Sequence, residues 1–310
     1  MTVQTPQAGI IPEPNQHALF LVTKVNNPTT TRETVARMVA GIPELVTTVG
    51  RHDPEAALVC TVSFGSGFWD VLSPGRRPKG LRPFTAIDLP GKSAPSTGGD
   101  ILFHLISKRL DLNFELAKQL RGQLGDAIDV LDEVHGFRYL DSRDLTGFID
   151  GTENPSGDEE RAEVALIGDE DPDFASGSYV FTQRYVHNFP KWNATPQDEQ
   201  EGAVGRRKAD SEELSDETKP PTAHISRVVI EENGEELEIL RHSFPYGTTS
   251  EAGLFFIAYT KDLDITDKML RRMLGASGDG LHDHLMDYTQ AVSGAHFFAP
   301  SLEMLQALGK

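Results

Sequence analysis

Cysteine is nearly absent from this chain: Cys60 is the single one in 310 residues. No internal disulfide can form, so packing and hydrogen bonds must hold the fold. Cys60 lies in the apolar run Ala56-Ala57-Leu58-Val59-Cys60-Thr61-Val62, which predicts a buried thiol and fits a reducing, cytoplasmic compartment. Long hydrophobic runs are also missing. No stretch approaches the ~20 apolar residues of a membrane helix, and no membrane partner is expected. The opening Met1-Thr2-Val3-Gln4-Thr5-Pro6-Gln7 has neither the basic residue nor the apolar follow-on of a secretory or twin-arginine signal. Positive charge is scarce, with 29 Lys and Arg against 47 Asp and Glu and a formal net charge of -18. That balance argues against a nucleic-acid partner, whose affinity rests on Lys and Arg contacts to phosphates.

The length is enough for two cores. Residues 18–25, 57–64 and 100–107 read as strands, and 31–49 as one helix ending near Gly50. A second helix over 112–124 carries an apolar stripe at Leu112, Leu116, Leu120 and Leu124. Sliding the chain along itself until Ile101 meets Leu254 gives an internal echo. Ile101-Leu102-Phe103 then matches Leu254-Phe255-Phe256, Asp111-Leu112 matches Asp264-Ile265, and Leu116 and Leu120 fall on Met269 and Met273. Both helices finish at glycines. A duplicated α+β chain follows, with antiparallel sheets covered on one face by helices. The stretch 195–221, rich in acids, Gly and Pro, reads as a solvated loop, within which Gly205-Arg206-Arg207-Lys208 could bind a carboxylate.

Four places offer chemistry. In Gly147-Phe148-Ile149-Asp150-Gly151-Thr152-Glu153-Asn154-Pro155, glycines bracket Asp150, which would let the backbone pass close to a flat ligand; an ordinary turn acid is the plainer reading. His224 follows Pro220-Pro221 and opens what reads as an alternating strand. Arg241 closes a strand before Pro245-Tyr246-Gly247, and a hairpin turn at Asn233-Gly234 would bring His224 and Arg241 to the same end. Alone, each of these two is an ordinary surface or strand-end polar residue. In Leu281-His282-Asp283-His284-Leu285-Met286-Asp287-Tyr288 the spacing reads as helical. His282 and His284 would then point apart and could not share a metal, while Asp283 or Asp287 could accept a hydrogen bond from a histidine elsewhere.

At these residues the sequence resembles the dye-decolourising peroxidase family, more narrowly its bacterial B-type subgroup. Residues 147–155 look like the family's Gly-x-x-Asp-Gly signature, and His224 and Arg241 fall in the family's order and approximate spacing. The resemblance covers nearly the whole chain, including Gly205-Arg206 and residues 254–274. It implies an α+β fold of duplicated ferredoxin-like domains with antiparallel β-sheets, residues 1–145 and 146–310, with the haem held in the C-terminal domain. It implies one haem b per chain, with His224 as proximal iron ligand and Asp283 as the acceptor for its imidazole, Asp287 being the second candidate. Asp150 would be the distal acid/base and Arg241 the distal cation. Arg206 would lie near a propionate, Phe256 over the porphyrin edge, and Ile149, Gly151 and Thr152 against the cofactor. Ser243 stands where many B-type members have asparagine. The activity implied is reduction of hydrogen peroxide through a ferryl species, with oxidation of dyes, phenols or other one-electron donors. The alternative is a haem-handling protein that uses His224 without peroxide chemistry. Trp192, Tyr185, Tyr246 and Tyr288 are candidate surface relays for electrons, although packing is the commoner role of such residues. A homo-oligomer is expected. Some relatives are enclosed in protein shells, but the end at Leu305-Gln306-Ala307-Leu308-Gly309-Lys310 follows the last helical segment directly and leaves no targeting tail in view.

Overall fold

The computed structural model describes residues 4–13 and 15–310, so Met1 to Val3 of the opening segment lie outside the described residues. The first half runs β1 (His17–Val25), α1 (Pro28–Ala40), α2 (Ile42–Gly50), β2 (Val59–Phe64), α3 (Ser66–Leu72), β3 (Ile101–Ser107), α4 (Leu110–Leu124) and β4 (Ile128–Phe137). The second runs α5 (Gly157–Ala165), β5 (Ser178–His187), α6 (Phe189–Ala194), α7 (Gln197–Val204), α8 (His224–Val228), β6 (Leu240–Arg241), β7 (Phe244–Gly247), β8 (Ala252–Thr260), α9 (Leu263–Leu274), β9 (Thr289–Ala291), β10 (Ala295–Ala299) and α10 (Leu302–Ala307).

All pairings are antiparallel. In the first half the order across the sheet is β4-β1-β3-β2, and in the second β9 and β10 flank β5, then β8, then β6 and β7. Each half thus sets a long strand beside its first, β3 beside β1 and β8 beside β5, and the echo segments Ile101–Ser107 and 254–260 lie in those two strands, each feeding a helix, α4 or α9. The halves are joined edge to edge by single pairs, Tyr246 with Gly136 and Phe298 with Phe64.

Strand alternation divides the apolar side chains between two clusters. From β1, Ala18, Phe20 and Val22 enter a core shared with β7, β8 and β10, where the rings of Phe20 and Phe255 stack 4.0 Å apart. Leu19 and Leu21 pack in the other cluster with Leu112, Leu116, Leu120 and Leu124 of α4, the stripe read from the sequence. Cys60 is buried there, and desolvation pushes its thiol pKa far up. Among the described residues no helix is long and apolar enough to cross a membrane.

Three local expectations change. The helix over 31–49 is two helices, because Gly41 closes α1 with its N–H on Met38 O and Pro43 in the first turn of α2 lacks a donor. The stretch 195–221 contains α7 and is not loop throughout. His224 opens a short helix, α8, rather than a strand. A five-residue helix is not stable by itself. Here Arg272 of α9 donates to Ser226 O and Val229 O, while the buried Arg227 donates back to Arg272 O.

Candidate active site

A cleft with about 1480 Å³ of open space, mouth included, lies against β5, β8, α8 and α9. Its walls are largely apolar: Leu254 and Phe256 from β8, Met269 and Met273 from α9, Leu237 and Ile239 from the strand approach to Arg241. His224, Ile149, Asp150, Gly151, Thr152, Arg206 and Arg241 all border it. Ser243 does not; its Oγ accepts from the Ile257 N–H at 3.3 Å, in the gap between β6 and β7.

The His224 imidazole is fixed by a carboxylate. Nδ1 lies 2.6 Å from Oδ2 of Asp283, which is fully buried, and Asp283 Oδ1 accepts from the Leu285 N–H at 2.8 Å. With Nδ1 turned to the carboxylate, Nε2 makes no hydrogen bond among the described residues. The Asp283 N–H donates to Met273 O, which ties this loop to the end of α9. A neutral imidazole with a carboxylate behind it, bordering an apolar slot, suits a metal in a flat hydrophobic cofactor such as haem. Asp287, the other candidate acceptor, turns away to His282 and Lys92.

Asp150 and Arg241 face each other across 3.8 Å, Oδ1 to Nη1, with side chains 27% and 18% exposed. That spacing is too long for a direct hydrogen bond and leaves both groups available to a small ligand. What exposure Asp150 has is to the confined cleft, and burial raises its pKa above the ordinary carboxylate value, Arg241 offsetting only part of the shift. The Asp150 N–H donates to Ser142 O, and Gly151 has φ +83°, a conformation that favours glycine and turns the chain immediately after the acid. Asn154 lies three residues beyond Gly151, at the end of the same stretch. It clamps the Arg241 backbone, accepting its N–H at 3.0 Å and donating to its carbonyl at 2.8 Å. Reciprocal amide pairing between residues so far apart has no local pattern to reveal it.

Arg206 reaches the cleft but is engaged by Glu153 and by Glu213, 3.7 Å away. Sequence reading also missed a second acid–imidazole pair on the cleft wall, Asp144 with His187 at 3.2 Å. Burial raises the Asp144 pKa, but hydrogen bonds from His187 and Thr146 outweigh it and hold the carboxyl below its usual value. Of the aromatics taken for surface relays, Trp192, Tyr185 and Tyr246 are buried, and Tyr288 is half-buried. Trp192 donates to Thr146 O, beside the cleft, and its ring meets Tyr288 edge-on at 4.9 Å. The segment after α9 is not the helix expected but a 3₁₀ turn, His284–Asp287. The angular argument against a shared metal fails with it: His282, His284 and Asp287 bring their ligating atoms within 4.8 Å of one another.

The chain matches the Dyp-type peroxidase, N-terminal family over residues 7–138 and the Dyp-type peroxidase, C-terminal family over residues 141–304. It is 41% identical over 304 residues to a dye-decolorizing peroxidase of Rhodococcus erythropolis, covering 95% of this chain and 88% of that one. A variant of DypB from Rhodococcus jostii RHA1, solved in complex with heme, superposes with a TM-score of 0.95 at 43% identity over 99% of this chain and 100% of the other. The encapsulated DyP-type peroxidase from Mycobacterium smegmatis gives a TM-score of 0.94 at 40% identity over 98% of each chain. Signature, cleft and whole-length similarity agree, and the chain belongs to the dye-decolourising peroxidase family, on its B-type side.

Proposed function

We propose that His224, Asp150 and Arg241 are the working set of a haem peroxidase that reduces hydrogen peroxide and oxidises dyes, phenols or other one-electron donors. The observation that carries this division of labour is the Asp150–Arg241 pair held 3.8 Å apart on the same cleft as the Asp283-oriented His224. Haem b is the cofactor, one per chain, and when bound it supplies the redox chemistry for peroxide and donor alike. His224 Nε2 is its ligand, and Asp283, accepting the Nδ1 proton, makes that imidazole a stronger donor. Ile149, Gly151, Thr152 and Phe256 would wall it in, and Arg206 would be the cation for a propionate, shared with Glu153.

The chain's own part in peroxide cleavage is proton traffic and charge. An ionised Asp150 accepts the hydroxyl proton of peroxide at a carboxylate oxygen and returns it to the departing oxygen, which leaves as water. Arg241, fixed at its backbone by Asn154, stabilises the negative charge that develops as the O–O bond breaks. Holding a cofactor requires no such acid, so a pure haem carrier gives no account of a half-buried Asp150 with a raised pKa facing Arg241.

The repeated sheet order, with a long strand feeding a helix in each half, supports two ferredoxin-like domains, 1–145 and 146–310, with haem in the second. A cytoplasmic homo-oligomer completes the reading. Haem titration of the apoprotein tests its base: wild type takes up one haem with an imidazole-ligated ferric spectrum, and His224→Ala loses that ligation. Wild type without haem uptake, or an unchanged spectrum in the variant, rejects it.

A further inference from the structure

Beside the cleft, the turn that presents Asp283 to His224 carries a second cluster of ligating side chains. Asp283 is buried beneath, whereas His282 and His284 on either side of it turn outward, their rings 5.2 Å apart and inclined at 51°. His282 Nε2 lies 3.2 and 3.3 Å from the two carboxylate oxygens of Asp287, each side chain about a third exposed. The 3₁₀ turn His284–Asp287 makes this possible, since on an α-helix residues two apart face opposite ways. One ligating atom from each of the three residues lies within 4.8 Å of the others. An ion bound at ~2.0–2.2 Å from nitrogen and oxygen would draw these atoms closer, a movement within reach of side-chain rotation.

Two further features complete the setting. Asp198 and Glu199, in the first turn of α7, line a hollow together with His284 and Asp287, which adds negative charge beside the cluster. Lys92 Nζ sits 3.0 Å from Asp287 Oδ1, so the carboxylate already holds a cation.

We propose that His282, His284 and Asp287 form a binding site for one divalent transition-metal ion, separate from the haem cleft. Two imidazoles with a carboxylate select zinc- or copper-like ions; calcium and magnesium prefer all-oxygen shells. The ion displaces the Lys92 ammonium from Asp287 and replaces the proton that a His282–Asp287 ion pair would need. Asp283 keeps its bond to His224, so the site is built on the back of the proximal pair without consuming it.

The test uses haem-loaded protein free of any histidine tag, titrated with Zn²⁺ by calorimetry and with Cu²⁺ by electron paramagnetic resonance. Wild type should bind one Zn²⁺ per chain saturably at micromolar concentration and give a Cu²⁺ signal split by two imidazole nitrogens. The His282→Gln/His284→Gln double variant should bind about tenfold more weakly or worse, in line with loss of ligating imidazoles, with haem content unchanged. Lys92→Met should bind more tightly, because the competing charge is gone. Saturation only at millimolar Zn²⁺, a double variant that binds as wild type does, or a Lys92→Met variant with no gain overturns the proposal. Haem content is read separately by absorbance, so failure here is distinguishable from failure of the peroxidase reading.

Discussion

Replacing Asp283 by asparagine isolates what the charge behind His224 contributes. The carboxylate serves two donors, the His224 Nδ1–H at 2.6 Å and the Leu285 N–H at 2.8 Å. Asparagine keeps nearly the same shape and one acceptor oxygen but carries no charge. A hydrogen bond to a charged group contributes about 1.5–3 kcal/mol and a neutral one about 0.5–1.5 kcal/mol, so roughly 1–1.5 kcal/mol is at stake at the imidazole. The loss falls on the more oxidised iron, because a negative partner favours the higher metal charge. A tenfold change in a one-electron equilibrium is about 59 mV, so the ferric/ferrous midpoint of Asp283→Asn should lie about 60 mV above wild type. Haem affinity should fall by about 10–100-fold, the usual effect of removing an outer-shell partner. Asp283→Ala should do worse, since it leaves both part-buried donors without an acceptor, at up to about 1–3 kcal/mol each. The assay is potentiometric titration of the haem-loaded protein followed by absorbance, with haem titration of the apoprotein alongside. A midpoint within about 10 mV of wild type, a shift far below one tenfold step, together with unchanged affinity, would refute the role given to this carboxylate.

Two other perturbations bear on the same site. Because burial raises the Asp150 pKa, the native state holds its proton to higher pH than the unfolded chain does. The stability this group contributes is therefore present below about pH 3.9 and lost as pH rises through its native pKa. Asp150→Asn should accordingly melt higher than wild type at neutral pH, with the gap closing in acid. A lower melting temperature at pH 7 would contradict the raised pKa. In wild type the same proton should suppress reaction with peroxide as pH falls through that pKa, an acid limb that Asp150→Asn should lack. Gly205→Ala tests the approach to His224. Gly205 has φ +94°, and a Cβ there would lie 2.4 Å from Ile225 Cγ2 and 3.2 Å from the Ala223 Cβ, the two neighbours of the histidine. A loss of about 1–3 kcal/mol in stability is expected from overpacking and strain, with weaker haem uptake; a variant matching wild type in both would show that the backbone gives way freely.

Periodic signals were the legible part of the chain. The stripe of α4 follows from a single repeat, the apolar run of β1 has the length of a strand, and the matched strands β3 and β8 stand out because the same pattern occurs twice. Tertiary overrides were not legible. The alternation Ile225, Arg227, Val229 looks like a strand, but Arg227 is a buried arginine paired with Asp279, and its contacts with α9 stabilise a helix that local preference would not form. The same holds around the last histidines, where a 3₁₀ turn replaces the expected helix and reverses the geometry of His282 and His284. Within the cleft, Asp150, His224 and Arg241 were found by motif and resemblance. Asn154 and the Asp144–His187 pair were not, since their partners lie far away in sequence.

Stopped-flow absorption tests the central claim most directly: haem-loaded wild type, Asp150→Ala and Arg241→Ala are each mixed with hydrogen peroxide at pH 7. The account predicts a fast second-order reaction for wild type, slowed about 10²–10⁴-fold without the proton acceptor and about 10²–10³-fold without the charge stabiliser. Wild-type rates in both variants, at full haem content, would contradict it.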